Sequence, residues 1–361
     1  MKNKIKYPLI KPEMPRLEEL IPHLRNIWES NIFSNNGPYV QKFEKVCADI
    51  YGIDKDRVVC CSNATMGLTL AIKALDWKSS VDTVAYTFPA TVQAISWNSL
   101  PYTYLDIHLD KHSAIKNKKQ DSSNLLAILP YGCPFFELDF KDYESVIIDA
   151  ASALGNTGKD MMRIINNADA SVFSLHATKS LGVGEGGLVI FRETSKANIF
   201  RRLINFGFNE YKEIIEGGIN GKMCEIMGAI GYLKLIDIKE IINSKNKVSS
   251  FYKKYLKNVS SLVYTVENHP WQFIPILLPE TLKQKRSLVR DILKNKFGIL
   301  TGVYYAPVHK YLCSNSNLPN TDKVGSLIIS LPIYSSMSEK DVEYICSCLS
   351  ESIRLAHEEE I

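Results

Sequence analysis

A chain of 361 residues, 45% apolar and 23% charged, carries enough apolar side chains for a substantial core, as one large domain or two unequal ones. Its 43 Lys and Arg against 39 Asp and Glu leave a formal charge of +4 without a long basic run, so no electrostatic footprint for nucleic acid is present. No apolar run is long enough to span a bilayer, and MKNKIKYPLIKPEMP at the N-terminus has too short an apolar stretch for a secretory signal; a cytoplasmic protein with no membrane contact is expected.

Short apolar runs alternate with helical patterns from about residue 58 to 191, which is the signature of an α/β fold. Residues 58–61 predict a buried strand. A helix patterned by Met66, Leu68, Leu70, Ala71 and Leu75 follows, with Ser62, Asn63 and Thr65 offering cap-type side chains at its start. Further strands are predicted at 81–86, 125–130, 146–148, 171–175 and 188–191. Beyond these the pattern turns helical, with one stretch over 224–243 and another over 245–256. Strands near 271–277, 299–304 and 326–329 then predict a smaller C-terminal α/β portion. The division expected is a large domain over 1–240, with an N-terminal arm, and a small one over 241–361.

Cys47, Cys60, Cys61, Cys133, Cys224, Cys313, Cys346 and Cys348 show neither a C-x-x-C pair nor a His at zinc-ligand spacing, so reduced thiols and no metal site are expected. Cys60 and Cys61 are expected to alternate across a strand rather than to bridge.

In open α/β sheets ligands collect beyond the carboxyl ends of the strands, which directs attention to residues 62–65, 87–91, 149–152 and 176–179. Lys179 sits between a predicted strand and a glycine-rich segment. A desolvated amine there can condense with an aldehyde, while a solvated loop lysine would look the same in sequence. Asp149 ends an apolar strand, so its carboxylate needs a partner: a protonated ring nitrogen, or the backbone of the following turn. Residues 62–65 can hold a phosphate at a helix start, or simply cap that helix. Ser174 can add a hydroxyl to the same phosphate or be a tolerated strand serine, and Phe88 can stack on a planar cofactor or pack in the core. The glycines over 184–187 precede their strand and lack a dinucleotide fingerprint.

Taken in order, SNNGPYVQKFE at 34–44, SNATMGLTLAI at 62–72, TFPATVQAI at 87–95, IIDAASALG at 147–155, FSLHATKSLGVGEGG at 173–187, INGKMCEIMGAIG at 219–231, and YYAPVH with LPIY near the C-terminus resemble the DegT/DnrJ/EryC1/StrS family of nucleotide-sugar aminotransferases. The resemblance covers nearly the whole chain. It implies a fold-type-I pyridoxal-phosphate-dependent transferase with a mostly parallel central sheet flanked by helices, and a homodimer with shared active sites. It further implies L-glutamate as amino donor, a nucleotide-linked keto sugar as acceptor, and pyridoxal 5'-phosphate alternating with pyridoxamine 5'-phosphate. Amination of a dTDP-linked 3-keto- or 4-keto-6-deoxyhexose, for O-antigen or a related glycan, is the activity expected.

By the same resemblance Lys179 is the catalytic lysine that holds the cofactor. Asp149 faces the pyridine nitrogen, Phe88 stacks on the ring, Ser152 lies beside it, and Asn63, Ala64, Thr65 and Ser174 cradle the phosphate. Asn220 reaches that phosphate from the neighbouring subunit. His176, Lys222, Tyr305 and His309 are the candidate contacts to sugar or diphosphate. Three positions depart from the family pattern: Ser152 replaces a Gln or His, Ala64 replaces a Gly, and Lys222 replaces an Arg, which exchanges a bidentate clamp for a point charge. Lys179 argues against the dehydratase subgroup, which has histidine there. The INGKM and SNNG segments disfavour an activity on amino acids alone. A non-catalytic member that binds cofactor or sugar in a regulatory role is the alternative.

Overall fold

Strand β1 (Val58–Cys61) shows how the main sheet is buried on both faces: Val58 and Cys60 join one apolar cluster, Val59 and Cys61 another. Successive side chains of a strand point to opposite faces, so a strand covered on both sides reads as a continuous apolar run. The adjacent cysteines accordingly alternate, and both thiols are free and buried. The computed structural model describes residues 4–110, 122–134, 139–257, 259, 261–262, 266, 268–312 and 316–359, which leaves Cys313 outside the described residues.

Strands β2 (Val81–Val84), β3 (Tyr102–Leu105), β4 (Asn124–Ile128), β5 (Ser145–Asp149), β6 (Ala170–Ser174) and β7 (Gly187–Phe191) complete a sheet of order β1-β7-β6-β5-β4-β2-β3. Only the pairings of β7, with β1 and with β6, are antiparallel. The carboxyl ends of β1 and β6 therefore lie beside the amino end of β7, where Gly187 pairs with both Cys61 and Ser174. β3, at the sheet edge and half polar, escapes the sequence pattern.

Helices α1 (Leu17–Ser30) and α2 (Pro38–Tyr51) precede the sheet, and α3 (Ala64–Ala74), α4 (Pro89–Trp97), α5 (Lys159–Asn167) and α6 (Thr194–Leu203) flank it. Gly37 and Pro38 open α2 as an N-cap and first residue without a backbone N–H, which suits a helix start. The predicted helical stretch over 224–243 is two helices, α7 (Glu225–Ile236) and α8 (Ile238–Tyr255), broken at Asp237, whose φ of −92° and ψ of 14° leave the helical region. Apolar periodicity runs through that break unchanged, which hides it in the sequence.

The C-terminal portion holds an antiparallel sheet of order β10-β9-β8, made of β8 (Ser261–Leu262), β9 (Ile274–Leu277) and β10 (Ile328–Leu331). Helices α9 (Arg286–Phe297), α10 (Pro319–Leu327) and α11 (Glu339–Glu358) complete it. The predicted strand over 299–304 is not a ladder strand: among the described residues it pairs through isolated bridges, Tyr7 with Ile299 and Gly302 with Ser330. Residues 326–327 end α10 rather than begin the following strand.

The N-terminal arm runs along this C-terminal portion rather than the main sheet. Tyr7 N donates to Gly298 O at 3.1 Å, Leu300 N to Tyr7 O at 2.9 Å, and Tyr7 OH to Asp341 Oδ1 at 2.7 Å. Glu13 closes the arm with an ion pair of 2.7 Å to Lys245. Among the described residues, no helix is long and apolar enough to cross a membrane.

Candidate active site

Lys179 lies in the loop between β6 and β7 and is only 8% exposed. Its Nζ donates to Tyr304 OH at 2.7 Å, Ser152 Oγ at 2.8 Å and Gln272 Oε1 at 3.0 Å. Two of those acceptors, Gln272 and Tyr304, come from the C-terminal portion, so both parts of the chain build the site.

Asp149 ends β5 and is 2% exposed. Thr91 Oγ1 donates to its Oδ2 at 2.7 Å and Ala151 N to its Oδ1 at 3.1 Å. Burial pushes the carboxyl above its ordinary range, while Thr91, the Ala151 N–H and the charge of Lys179 pull against that rise. A cationic ring nitrogen would hold it ionised.

At the adjoining strand end Asn63 caps α3, accepting the Met66 N–H at 2.9 Å. The N–H groups of Ala64 and Thr65 open the same helix, where the first turn has no carbonyl of its own to bond and the dipole favours an anion. A Cβ on Gly187 would come within 2.5 Å of Asn63 C, so only glycine lets β7 approach this helix start so closely. Ser174, facing Gly187 across the ladder, is part-buried, and its Oγ accepts the His176 N–H at 3.3 Å. Phe88, 48% exposed, N-caps α4, and its ring stacks on Tyr304 at 5.9 Å and 24°. These groups share the carboxyl edge of the main sheet.

The other predicted residues are more dispersed. His176 is exposed, with Nδ1 2.9 Å from Thr178 Oγ1 and Nε2 3.5 Å from Glu185. Asn220 is exposed and bridges Asn205, while the next residue, Gly221, accepts the Ser62 N–H at 2.7 Å through its carbonyl. Lys222 donates to Asn205 Oδ1 at 2.9 Å, and partial burial pushes its ammonium down. It lines a pocket of about 200 Å³ with Asn35, Asn36 and Arg201.

Tyr305 and His309 do not meet this edge. Tyr305, 2% exposed, packs edge-on against Tyr131 at 4.9 Å and Tyr86 at 5.5 Å, and its OH accepts the Tyr131 N–H. His309, 3% exposed, sits between Tyr104 and Asp322. The two adjacent tyrosines divide: Tyr304 turns to Lys179 and Tyr305 to the interior. Sequence reasoning also passed over Thr91 and Gln272. Thr91 lay within the TFPATVQAI segment at helical spacing from Thr87; Gln272 had no local signal.

The DegT/DnrJ/EryC1/StrS aminotransferase family matches residues 16–122 and 140–350. The chain belongs to this family. A dTDP-4-amino-4,6-dideoxy-D-glucose transaminase from Shigella dysenteriae is 29% identical over 94% of this chain and 97% of its own length. GDP-perosamine synthase from Escherichia coli O157:H7 is 26% identical over 95% and 98% respectively. The crystal structure of DesI, determined in the presence of its TDP-sugar product, has a TM-score of 0.86 at 25% identity and covers 99% of this chain and 95% of that one.

The protein is thus a pyridoxal-phosphate-dependent sugar transaminase of fold-type-I architecture. The residues present fit the cofactor. A buried amine, a buried carboxylate with a raised pKa, a helix start cleared by Gly187 and a half-exposed aromatic ring suit an aldehyde, a pyridine nitrogen, a phosphate and a ring face in turn. When bound, pyridoxal phosphate supplies a protonated ring that takes up the electron pair left as a proton departs from the substrate carbon.

Proposed function

We propose that this transaminase moves an amino group from L-glutamate to carbon 4 of a dTDP-linked 4-keto-6-deoxyhexose, for an O-antigen-type or related glycan. The observation that carries the reading is the pairing of buried Lys179 with buried Asp149 at one sheet edge, in a chain aligned end to end with transaminases named for a dTDP-4-amino sugar. Lys179 Nζ would move the proton from the donor's α-carbon to cofactor C4′, and in the reverse half from C4′ to the sugar carbon. Asp149 keeps the ring nitrogen charged. Ala64 and Thr65 N–H, Asn63 and Ser174 hold the phosphate, Phe88 covers the ring and Ser152 flanks it. His176 and Lys222 lie toward the nucleotide-sugar.

The working unit in this reading is a homodimer in which Asn220 reaches the partner's phosphate. Tyr211, Ile214 and Ile215, 75%, 71% and 56% exposed on the segment leading to Asn220, support it, because clustered exposed apolar side chains mark a contact surface.

The test is incubation with L-glutamate and a panel of dTDP-, UDP- and GDP-linked 3-keto and 4-keto sugars, with 2-oxoglutarate assayed and the new C–N bond located by NMR. Amination of the dTDP 4-keto sugar at carbon 4 is expected. Amination at carbon 3, or of another nucleotide's sugar only, would overturn the substrate assignment. Borohydride trapping should place the cofactor mass on Lys179, and Lys179→Ala should lose it.

A further inference from the structure

A protonated lysine carries three N–H donors and no acceptor, and the Lys179 amine finds three oxygens, from Ser152, Gln272 and Tyr304, within 3.0 Å. Each acceptor is itself held. Gln272 Oε1 also receives the Ser152 hydroxyl at 2.8 Å, while Gln272 Nε2 faces Thr178 Oγ1 at 3.2 Å and Tyr304 OH at 3.5 Å. That arrangement fixes the amide: its oxygen turns to the two donors and its nitrogen to the two hydroxyls. The Tyr304 ring is clamped between Phe88 at 5.9 Å and Phe273 at 4.8 Å. Ser152 and Gln272 are both buried.

We propose that Ser152, Gln272 and Tyr304 form a cradle that holds the free Lys179 amine in place whenever it is not bonded to the cofactor, with Gln272 and Tyr304 as positioning residues. A transaminase must release its lysine in the first half-reaction and take it back only at the end of the second. A four-carbon side chain carries considerable rotamer freedom, and losing its position between those events would cost rate. The three acceptors remove that freedom without a carboxylate, which would lock the amine as an ion pair. Ser152 leaves room for Gln272 to reach Nζ from the C-terminal portion, so the cradle closes only when both parts of the chain are in register. The inference rests on Lys179 being the reacting amine and is independent of which sugar is the acceptor.

The test uses the full-length protein freed of cofactor, acetylated with acetic anhydride at one neutral pH. The rate at Lys179 is read by mass spectrometry against exposed lysines of the same sample. Gln272→Leu keeps the size and removes the acceptor; Tyr304→Phe keeps the ring and its stack and removes the hydroxyl. Each should acetylate Lys179 about tenfold faster, the effect of losing one hydrogen bond to a charged group. Gln272→Glu, which restores an acceptor, should return the rate to wild type or below. In the loaded enzyme the first two variants should lower kcat with little change in KM for the amino donor. Wild-type acetylation rates in both Gln272→Leu and Tyr304→Phe would overturn the cradle, and either variant decides alone if the other does not fold. Loss of sugar amination with the acetylation contrast intact would instead count against the substrate reading.

Discussion

Thr91 donates its single hydroxyl proton to Asp149 at 2.7 Å, so the 2.6 Å contact between Thr87 and Thr91 must be donated by Thr87. This two-threonine chain aims a hydrogen bond at a carboxylate that burial pushes upward. Asp149→Asn should keep the fold and cofactor binding but lower kcat at least ~100-fold, because a neutral amide cannot stabilise a cationic ring. Thr91→Val removes a group that pulls the carboxyl down, so Asp149 should bind its proton at higher pH. The acid limb of kcat/KM should therefore move to higher pH than in wild type. An unmoved limb would show that ionisation of Asp149 does not govern that limb.

Gly187 offers a purely steric test of the phosphate end. A Cβ there meets backbone atoms, Asn63 C at 2.5 Å and Ala64 N at 2.7 Å, which cannot swing aside as a side chain would. Gly187→Ala should cost roughly 1–3 kcal/mol of stability through overpacking, and should weaken cofactor binding as well by displacing the α3 start. Chemical denaturation and titration of the cofactor-free protein measure the two effects. Unchanged cofactor affinity at reduced stability would separate the helix start from phosphate binding.

The parts of the site that sequence made legible are those on the main sheet. Asp149 and Ser174 end buried strands and Phe88 follows one, and the apolar runs mark both the strands and their ends. Asn63 carried a cap signature, and Lys179 stood beside a glycine-rich segment. What sequence left open came from the C-terminal portion. Gln272 reaches Lys179 across 93 positions and Tyr304 across 125, contacts that no local periodicity encodes. Choosing Tyr304 over the Tyr305 that the sequence suggested required the direction of a segment with isolated bridges rather than a regular ladder. The break at Asp237 was hidden for a different reason: apolar spacing continues through it.

His269 provides a pH test of the junction behind the site. Fully enclosed between Tyr131 O at 2.9 Å and Asn156 Nδ2 at 3.3 Å, it is pushed down to about 4 by burial, from an ordinary 6.5. Between those two values the unfolded chain binds a proton that the folded one refuses. Stability should thus be full above about pH 6.5 and fall as pH drops toward 4, by roughly 3 kcal/mol at the limit. His269→Gln, which does not titrate, should flatten that slope in urea denaturation series at several pH values. A slope equal to wild type would assign the acid sensitivity to other groups.

Glu13 tests whether the N-terminal arm is a structural strap. Burial alone would raise its carboxyl, but Lys245 at 2.7 Å and the Ser335 N–H at 2.5 Å more than offset that and hold it below its ordinary range. The Glu13 backbone carbonyl receives a second buried amine, Lys234, at 2.6 Å, and the same Lys234 donates to Gly182 O at 3.0 Å, three residues beyond Lys179. The arm is therefore tied to the loop that carries the reactive amine. Removing half-buried Glu13 leaves the buried Lys245 ammonium uncompensated, so Glu13→Ala should destabilise by roughly 1–3 kcal/mol, less than for a fully buried pair. Pairing it with Lys245→Met, which removes the stranded charge, should recover much of that loss. A double variant no more stable than Glu13→Ala would mean that the arm is held by its other contacts, Tyr7 to Gly298 and Asp341, rather than by this ion pair.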